Sequence, residues 1–465
     1  MESLAGRSVL VLGLGISGRS AAAWCAERGA RVVAADERPA EALAGAVPPG
    51  VEPWLGRSFP DPADFDVVVP SPGVPPERYR TRARRVCGDI ELAGAALSVP
   101  IVAVTGTNGK STTTALVTEM LRAAGLRAAM AGNVGTPALS LVGLPLDAAV
   151  LEVSSFQLET TESFRPAVAG VLNVTPDHLD RHHTIESYVA AKARILANQR
   201  ADDWAVLNEA DEWYAHFRDS ARGRVLPFRA IGMPGQGGRL EESADAQRAE
   251  GERRRAPARS GVGVDAGSLL VRADDDAPAQ RFAFDWREPG VHNRENAIAA
   301  AAAVFALGAP LSRALAALPA FRPLPHRTEL VARARGVSWV DDSKATNPGA
   351  ALRALEGFSA PIIWIAGGRA KGLDLGPLAR AARERVRAAV LIGEAAPQLE
   401  QGLRGGPVVH REANIEDAVR RAGALARAGD VVLLAPGCSS HDQFANFEER
   451  GRRFRAAAVA WAEEP

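Results

Sequence analysis

The chain has 465 residues, too many for one hydrophobic core and enough for roughly two to four domains, each able to bury a sizeable interior. Basic and acidic residues number 55 each, so the formal net charge is zero and no basic field recruits nucleic acid or an anionic membrane. Cys25, Cys87 and Cys438 are odd in number, widely spaced and in no Cys-x-x-Cys pair, which argues against a disulfide framework or zinc site and fits a reducing cytoplasm.

The first element is a strand, Ser8-Val-Leu-Val-Leu, leading into the glycine turn Gly13-Leu-Gly-Ile-Ser-Gly18 and a helix ended by Gly29. A second strand follows and ends at Asp36. That spacing matches the dinucleotide fingerprint, with an acidic residue about 20 positions on for a ribose hydroxyl. Taken alone the geometry holds any nucleotide diphosphate. Asp66-Val-Val-Val-Pro reads as a further buried strand, and it places Ser71 to Gly73 at the same carboxyl edge.

The stretch Val102 to Thr114, VAVTGTNGKSTTT, is the strongest signal in the chain. A buried strand, a glycine turn and a helix N-terminus bring several backbone N–H groups and the positive end of a helix dipole to one point, suited to polyphosphate. Lys110 adds charge for the terminal phosphates, and the Ser111 hydroxyl suits Mg²⁺. The general P-loop pattern wants glycine five places before Gly109; Val104 stands there and Gly106 is carried instead.

Lysine is rare. The 55 basic residues comprise Lys110, Lys192, Lys344, Lys371 and 51 arginines, so lysine is expected where a primary amine is itself required.

Beyond the P-loop, Gly132-Asn-Val-Gly135 is a glycine-flanked loop carrying Asn133, and the apolar strand Ala148-Ala-Val-Leu delivers Glu152. A carboxylate at that position is a candidate Mg²⁺ ligand or water positioner. The next strand, Val168 to Leu172, delivers Asn173-Val-Thr-Pro-Asp-His178, in which His178 reads either as a ligand or as a loop histidine bonded to backbone. Helical periodicity over Thr184 to Asn198 sets Lys192 among core-facing positions. A buried amine there is open to carbamylation by CO₂, which makes an anionic carboxylate on a long arm.

From Ile231 to about Asp265 large apolar residues are scarce, and the composition predicts a mobile surface insertion. Gly290-Val-His-Asn-Arg-Glu-Asn296 opens an alanine-rich helix whose apolar run stops at Pro310, short of the ~20 residues that span a bilayer. With no secretory leader at Met1, a cytoplasmic monomer without membrane insertion is expected. The Pro-rich segment Phe321 to Arg327 reads as a hinge. After it, strands beginning at Val337, Pro361, Ala388 and Asp430 each feed a polar or glycine-rich turn, as in a parallel sheet with ligands at its carboxyl edge. In the first of those loops Thr346 or Asn347 caps a helix that has Pro348 at its first position.

Together these motifs resemble the Mur ligases, and among them most closely the D-glutamate-adding members. The resemblance rests on TGTNGKST at 105–112, LEVSSFQL at 151–158, NVTPDHLDRH at 173–182, AAKARI at 190–195, DDSKATNP at 341–348 and PGCSSHDQFANFEERG at 436–451. It implies an α/β protein of three domains: a Rossmann-like N-terminal domain over 1–94, a central P-loop ATPase-like domain over 95–322, and a C-terminal Rossmann-like domain over 323–465. It also implies ATP-dependent addition of D-glutamate to UDP-N-acetylmuramoyl-L-alanine through an acyl phosphate. Thr107, Asn108, Gly109, Lys110, Ser111, Thr112, Thr113, Asn296, Arg327 and Asp342 would then hold ATP. Ser111, Glu152, His178 and a carbamylated Lys192 would hold or orient Mg²⁺. Ser17, Asp36, Gly73 and Asn133 would meet the nucleotide-sugar substrate, and Lys344, Thr346, Ser440 and Phe447 would form the D-glutamate pocket. The resemblance assigns no role to Lys371.

Overall fold

Each buried apolar run read from the sequence is a strand in the computed structural model, which describes residues 3–43, 45, 47–230, 260–265, 267–286, 291–322 and 324–463. Strands covered on both faces by helices can be apolar at every position, and this is why they were visible as continuous runs.

The first sheet contains β1 (Ser8–Leu12), β2 (Arg31–Asp36), β3 (Val51–Leu55) and β4 (Val67–Pro70) in the order β3-β2-β1-β4, all parallel. The helix α1 (Ile16–Glu27) follows β1. The chain runs from β1 outward through β2 to β3 and returns on the other side as β4. The carboxyl ends of β1 and β4 therefore flank a topological switch point, where open α/β sheets bind ligands. A short helix, α2 (Asp89–Ala96), leads into the second sheet.

Among the described residues that sheet has nine strands: β5 (Ile101–Thr105), β6 (Ala128–Gly132), β7 (Ala148–Glu152), β8 (Val168–Val171), β9 (Trp204–Asn208), β10 (Arg224–Phe228), β11 (Gly261–Asp265), β12 (Ser268–Arg272) and β13 (Gln280–Ala283). Their order is β13-β12-β11-β10-β9-β8-β5-β7-β6, parallel from β6 to β11 and antiparallel beyond. The strand β5 lies between β7 and β8, and the helix α3 (Lys110–Ala123) leaves its end. The insertion expected over 231–265 is corrected at its far end. Residues 231–259 lie outside the described residues, but Gly261–Asp265 is β11, which buries Val262 completely and pairs antiparallel with β12. Its Gly-Val-Gly-Val composition has the look of a loop while supplying a core side chain.

The third sheet has the order β14-β15-β19-β16-β17-β18, comprising β14 (Glu329–Ala334), β15 (Val337–Asp341), β16 (Ile362–Gly367), β17 (Val386–Ile392), β18 (Val408–Arg411) and β19 (Val431–Leu434). All pairs are parallel except β14 with β15. One face buries Trp364 and the other Trp339.

The chain divides into two compact units, residues 1–174, 186–286 and 295–320 in one, and 175–185, 287–294 and 321–465 in the other. The first carries two sheets and the second the third sheet.

Candidate active site

In the first unit, the turn after β1 is built on close backbone approach. Gly13 has φ +82°, the Ser71 hydroxyl donates to its carbonyl at 2.7 Å, and a Cβ at Gly18 would lie 1.8 Å from that same oxygen. The result is a cleft of about 790 Å³ at the switch point, lined by Gly13, Ser17, Asp36, Arg38, Phe59 and Gly73 among others. Asp36 is buried there. Its carboxylate accepts from Leu14 N–H at 2.8 Å and from Arg38 Nε and Nη2 at 2.9 and 2.7 Å, and the Arg38 bond holds its pKa down at about 2. The sequence pointed Asp36 at a ribose; in the structure its oxygens fix the glycine turn and present Arg38 to the cleft.

The second sheet places the P-loop between β5 and α3. Gly106 has φ +153° and Gly109 φ +85°, and a Cβ on Gly109 would lie 2.2 Å from Asn296 Oδ1, so the loop and Asn296 are in direct contact. Thr113 also bonds Asn296 at 3.4 Å. Asn173, just beyond β8, staples the loop from the far side. Its carbonyl accepts from Thr107 N–H at 2.8 Å, its Oδ1 from Asn108 N–H at 2.9 Å, and its Nδ2 donates to the Asn108 carbonyl at 3.1 Å. Sequence reasoning placed Asn173 in a motif without giving it a role. Thr105 Oγ1 and Asn108 Nδ2 are buried with no hydrogen-bond partner among the described residues.

Around this loop converge both lysines of the central sheet. Lys110 Nζ donates to the carbonyls of Gly106 and Thr107 at 2.8 and 3.0 Å, and Lys192 Nζ to Gly106 at 2.9 Å. Lys192 is 1% exposed, with its ammonium 4.3 Å from the centroid of the Tyr188 ring. Glu152, at the end of β7, is also 1% exposed and accepts from Asn133 Nδ2 at 2.9 Å. Asn133 N–H bonds the Glu152 carbonyl as well, at 2.9 Å. Asn133, assigned to the substrate by resemblance, is thus placed to orient Glu152. Ser111, Thr112 and Thr113 are buried in the first turn of α3.

Three family models match the chain: a Mur ligase MurD-like N-terminal domain at residues 7–88, the Mur ligase middle domain at 104–304, and the Mur ligase glutamate ligase domain at 326–438. Proteins named UDP-N-acetylmuramoylalanine--D-glutamate ligase from Geobacter metallireducens and Anaeromyxobacter dehalogenans are 42% and 44% identical, over 98% and 99% of both chains. The chain belongs to the Mur ligase family. Its three-domain architecture is also that of the solved UDP-N-acetylmuramate-alanine ligase MurC of Thermotoga maritima, with a TM-score of 0.58 at 18% identity over 98% of this chain and 99% of that one. Mur ligases are thereby a shared fold at low identity, and the finer assignment rests on the sequence relatives.

The second unit of this Mur ligase holds the remaining candidates: His178, Arg327, Asp342, Lys344, Thr346, Ser440 and Phe447. Most of them stand on loops at the carboxyl edge of the third sheet. Lys344 is half-buried, and its Nζ lies 4.0 Å from the Phe447 ring centroid in a cation–π contact. Asn347, not Thr346, is the helix cap, its Oδ1 accepting from Ala350 N–H at 2.8 Å, while its Nδ2 donates to Asp177 at 2.8 Å. Asp177 in turn accepts from the backbone N–H of His178, which has the left-handed φ of +53°. Lys371 is exposed in the loop after β16, also with a left-handed φ. Asp342 accepts from Thr328 N–H at 3.2 Å. Loss of solvation pushes its carboxyl up to about 7, and Arg327 beside it partly opposes that shift.

Two further groups here were not anticipated. His326, buried with φ +64°, bonds Asp341 through Nδ1 at 2.7 Å and stands edge-on to Phe447. Glu329, Asp341 and His326 bring ligand atoms within 4.8 Å of one another. Glu329 is held by Arg455 and by His326 N–H, and Asp341 by Ser343 N–H, so the cluster is joined into one hydrogen-bond network. Arg450 is wholly buried and donates to Ser343 Oγ, the Ser343 carbonyl and the Cys438 carbonyl at 3.0, 2.8 and 3.2 Å, tying two of the loops together. Burial pulls its pKa down to about 10. With 51 arginines in the chain, nothing in the sequence distinguished this one.

Proposed function

We propose that this chain is the ATP-dependent ligase that joins D-glutamate to UDP-N-acetylmuramoyl-L-alanine. The observation that carries the reading is the convergence of the P-loop, Lys110, Glu152 and Lys192 at one sheet edge, in a chain alike over nearly its full length to proteins named for that activity. The three family-model segments support domains over 1–94, 95–322 and 323–465. Among the described residues no helix is long and apolar enough to cross a membrane. Substrates made from UDP-sugars and ATP put the reaction in the cytoplasm.

The cleft of the first sheet would take the UDP moiety, with Ser17, Gly73 and Arg38 on its walls. The α3 N-terminus, Thr107 to Thr113 and Asn296 would hold ATP in the first unit; in the second, Arg327 and Asp342 are ATP-binding candidates by resemblance. The substrate carboxylate attacks the γ-phosphorus, the bond to ADP breaks, and an acyl phosphate forms. The D-glutamate amine then attacks the acyl carbon, phosphate leaves, and the nitrogen gives up a proton. Lys110 and the α3 N–H groups stabilise charge on the transferring oxygens. The donor set of the first unit also fits Mg²⁺, since Ser111 offers a hydroxyl, Glu152 a carboxylate and a carbamylated Lys192 a second one; His178, in the second unit, is a metal candidate by resemblance. When bound, the ion offsets charge on the phosphates.

The test is ATP turnover against a panel of UDP-muramoyl acceptors and amino acids. Phosphate release strictly dependent on both UDP-N-acetylmuramoyl-L-alanine and D-glutamate is expected; release without the second substrate would indicate a nucleotide-binding module that makes no bond.

The D-glutamate pocket is placed at Lys344, Thr346, Ser440 and Phe447, where a cation and hydroxyls meet carboxylates. Lys344→Ala and Ser440→Ala should each raise the KM for D-glutamate far more than that for ATP. Equal D-glutamate dependence in the variants and the parent enzyme would move the pocket elsewhere.

Asp342 gives a pH dependence. With its pKa raised to about 7, it is protonated in acid. Its contribution to stability is complete below the ordinary carboxylate range and is lost as pH rises through about 7. Ionised, Asp342 accepts through both oxygens and donates none; if it meets the ribose hydroxyls of ATP, the KM for ATP should fall as pH rises through 7. Asp342→Asn should flatten that profile, measured as KM for ATP from roughly 1.5 pH units below 7 to roughly 1.5 above it.

A further inference from the structure

Asp89 is 4% exposed at the start of α2, between the first and second sheets, and none of the reaction steps above uses it. Its carboxylate accepts from Gln157 Nε2 at 3.0 Å, from Ile90 N–H at 2.9 Å and from the Ser17 hydroxyl. Ser17 lines the cleft at the first switch point. Gln157 lies in the segment that follows Glu152, where its Oε1 accepts from Ser154 N–H at 3.1 Å and closes a capping box on the helix Ser155–Leu158. A single buried carboxylate thus bonds the turn of one ligand cleft and the segment behind the strand end of the other.

The neighbouring residues make the same connection rigid. Gly88 approaches Thr160 so closely that a Cβ would lie 2.0 Å from its hydroxyl oxygen. Glu91, one residue beyond Ile90, accepts from the backbone N–H groups of Glu162, Ser163 and Phe164 at 2.9, 2.9 and 3.0 Å. Glu91 grips main chain alone apart from the Ser163 hydroxyl, which makes it a structural clamp. Asp89 differs because both of its side-chain donors belong to ligand-facing segments. A buried carboxylate is costly unless its hydrogen bonds are made, so a purely structural join would be served as well by a neutral pair.

We propose that Asp89 is a positioning residue that sets the separation between the cleft receiving the UDP moiety and the central-sheet edge where the muramoyl-alanine carboxylate reacts. The proposal rests on the ligase reading for the identity of the substrate. It does not rest on it for the link itself. A substrate that must reach both sites pays for any misregistry in its binding, whereas ATP contacts only one of them.

The experiment compares Asp89→Asn, Gln157→Glu and the double variant in the full-length protein. In Asp89→Asn an amide N–H₂ faces the Gln157 N–H₂, and the KM for UDP-N-acetylmuramoyl-L-alanine should rise about tenfold while that for ATP stays within about twofold. The double variant reverses donor and acceptor, and it should recover most of the loss, a coupling that simple destabilisation does not produce. Equal increases in both KM values, or a double variant no better than Asp89→Asn, would overturn the proposal. Calorimetric titration without ATP or D-glutamate separates this from the ligase reading. If the parent protein fails to ligate D-glutamate, that reading falls. Weakened binding of UDP-N-acetylmuramoyl-L-alanine in Asp89→Asn with recovery in the double variant, while UDP alone binds within about twofold of the parent, would still uphold the link. Unchanged binding of the full substrate, or equal weakening for UDP alone, would sink it.

Discussion

Lys110→Ala is expected to lose roughly 10² to 10³ in kcat, the effect of removing one preorganised donor worth about 2.7 to 4 kcal/mol of barrier. The argument begins with where the amine is held. Two loop carbonyls, of Gly106 and Thr107, fix Nζ above the P-loop at 2.8 and 3.0 Å, so the charge is in place before phosphate arrives. Alanine keeps helix propensity at the start of α3 and leaves the Asn173 staple and the Gly109–Asn296 contact untouched. The variant should therefore fold and still dock nucleotide. Lys110→Arg should not restore activity, because a planar fork cannot occupy the place of a compact ammonium between two carbonyls. Steady-state phosphate release and product formation measure both variants. Activity within a few-fold of the parent would remove Lys110 from the transferring oxygens.

The strands that carry the site were legible because burial on both faces writes them as unbroken apolar runs, as in Ile101–Thr105. Several of those missed are edge strands with mixed exposure. Val51–Leu55 carries Pro53 on a sheet edge, Val408–Arg411 is an edge strand with Val408 61% exposed, and Glu329–Ala334 is an edge strand that exposes Leu330 and Arg333. The P-loop was legible for a different reason: backbone that must take φ > 0 requires glycine, and glycine spacing survives in the sequence. What holds the site in shape was not legible. The Asn173 staple spans 65 residues and the Arg450 bond to Ser343 spans 107, and such pairings have no local period or spacing. Asn133 illustrates the limit of resemblance, which placed it near the substrate without indicating that it grips Glu152 at both main chain and side chain. The rarity of lysine singled out four amines, and the fold brings two of them, those of Lys110 and Lys192, to one carbonyl, Gly106 O.

That shared carbonyl bears on Lys192, for which Lys192→Ala is expected to be folded and nearly inactive, with added acetate or formate restoring part of the rate. Lys192 is 1% exposed on the helix Ile185–Ala193, beside the same loop that Lys110 serves. A second cation so near the first would repel a metal ion and add charge where Glu152 and the phosphates already set the balance. A carbamate reverses the sign, lengthens the arm and presents two oxygens toward the donor set of Ser111 and Glu152. Removing the side chain leaves a pocket fitted to a small carboxylate, and a short carboxylic acid can enter it where a longer one cannot. Rescue by acetate is therefore specific to the carbamate form, since a missing ammonium would be answered by an amine and not by an acid. Mass spectrometry of the native protein under CO₂ and a ¹³C carbamate resonance lost in Lys192→Ala provide readouts independent of turnover. If neither signal appears and no short acid restores activity, Lys192 is a direct cationic contact to phosphate, and the anionic ligand beside Glu152 must come from elsewhere in the chain.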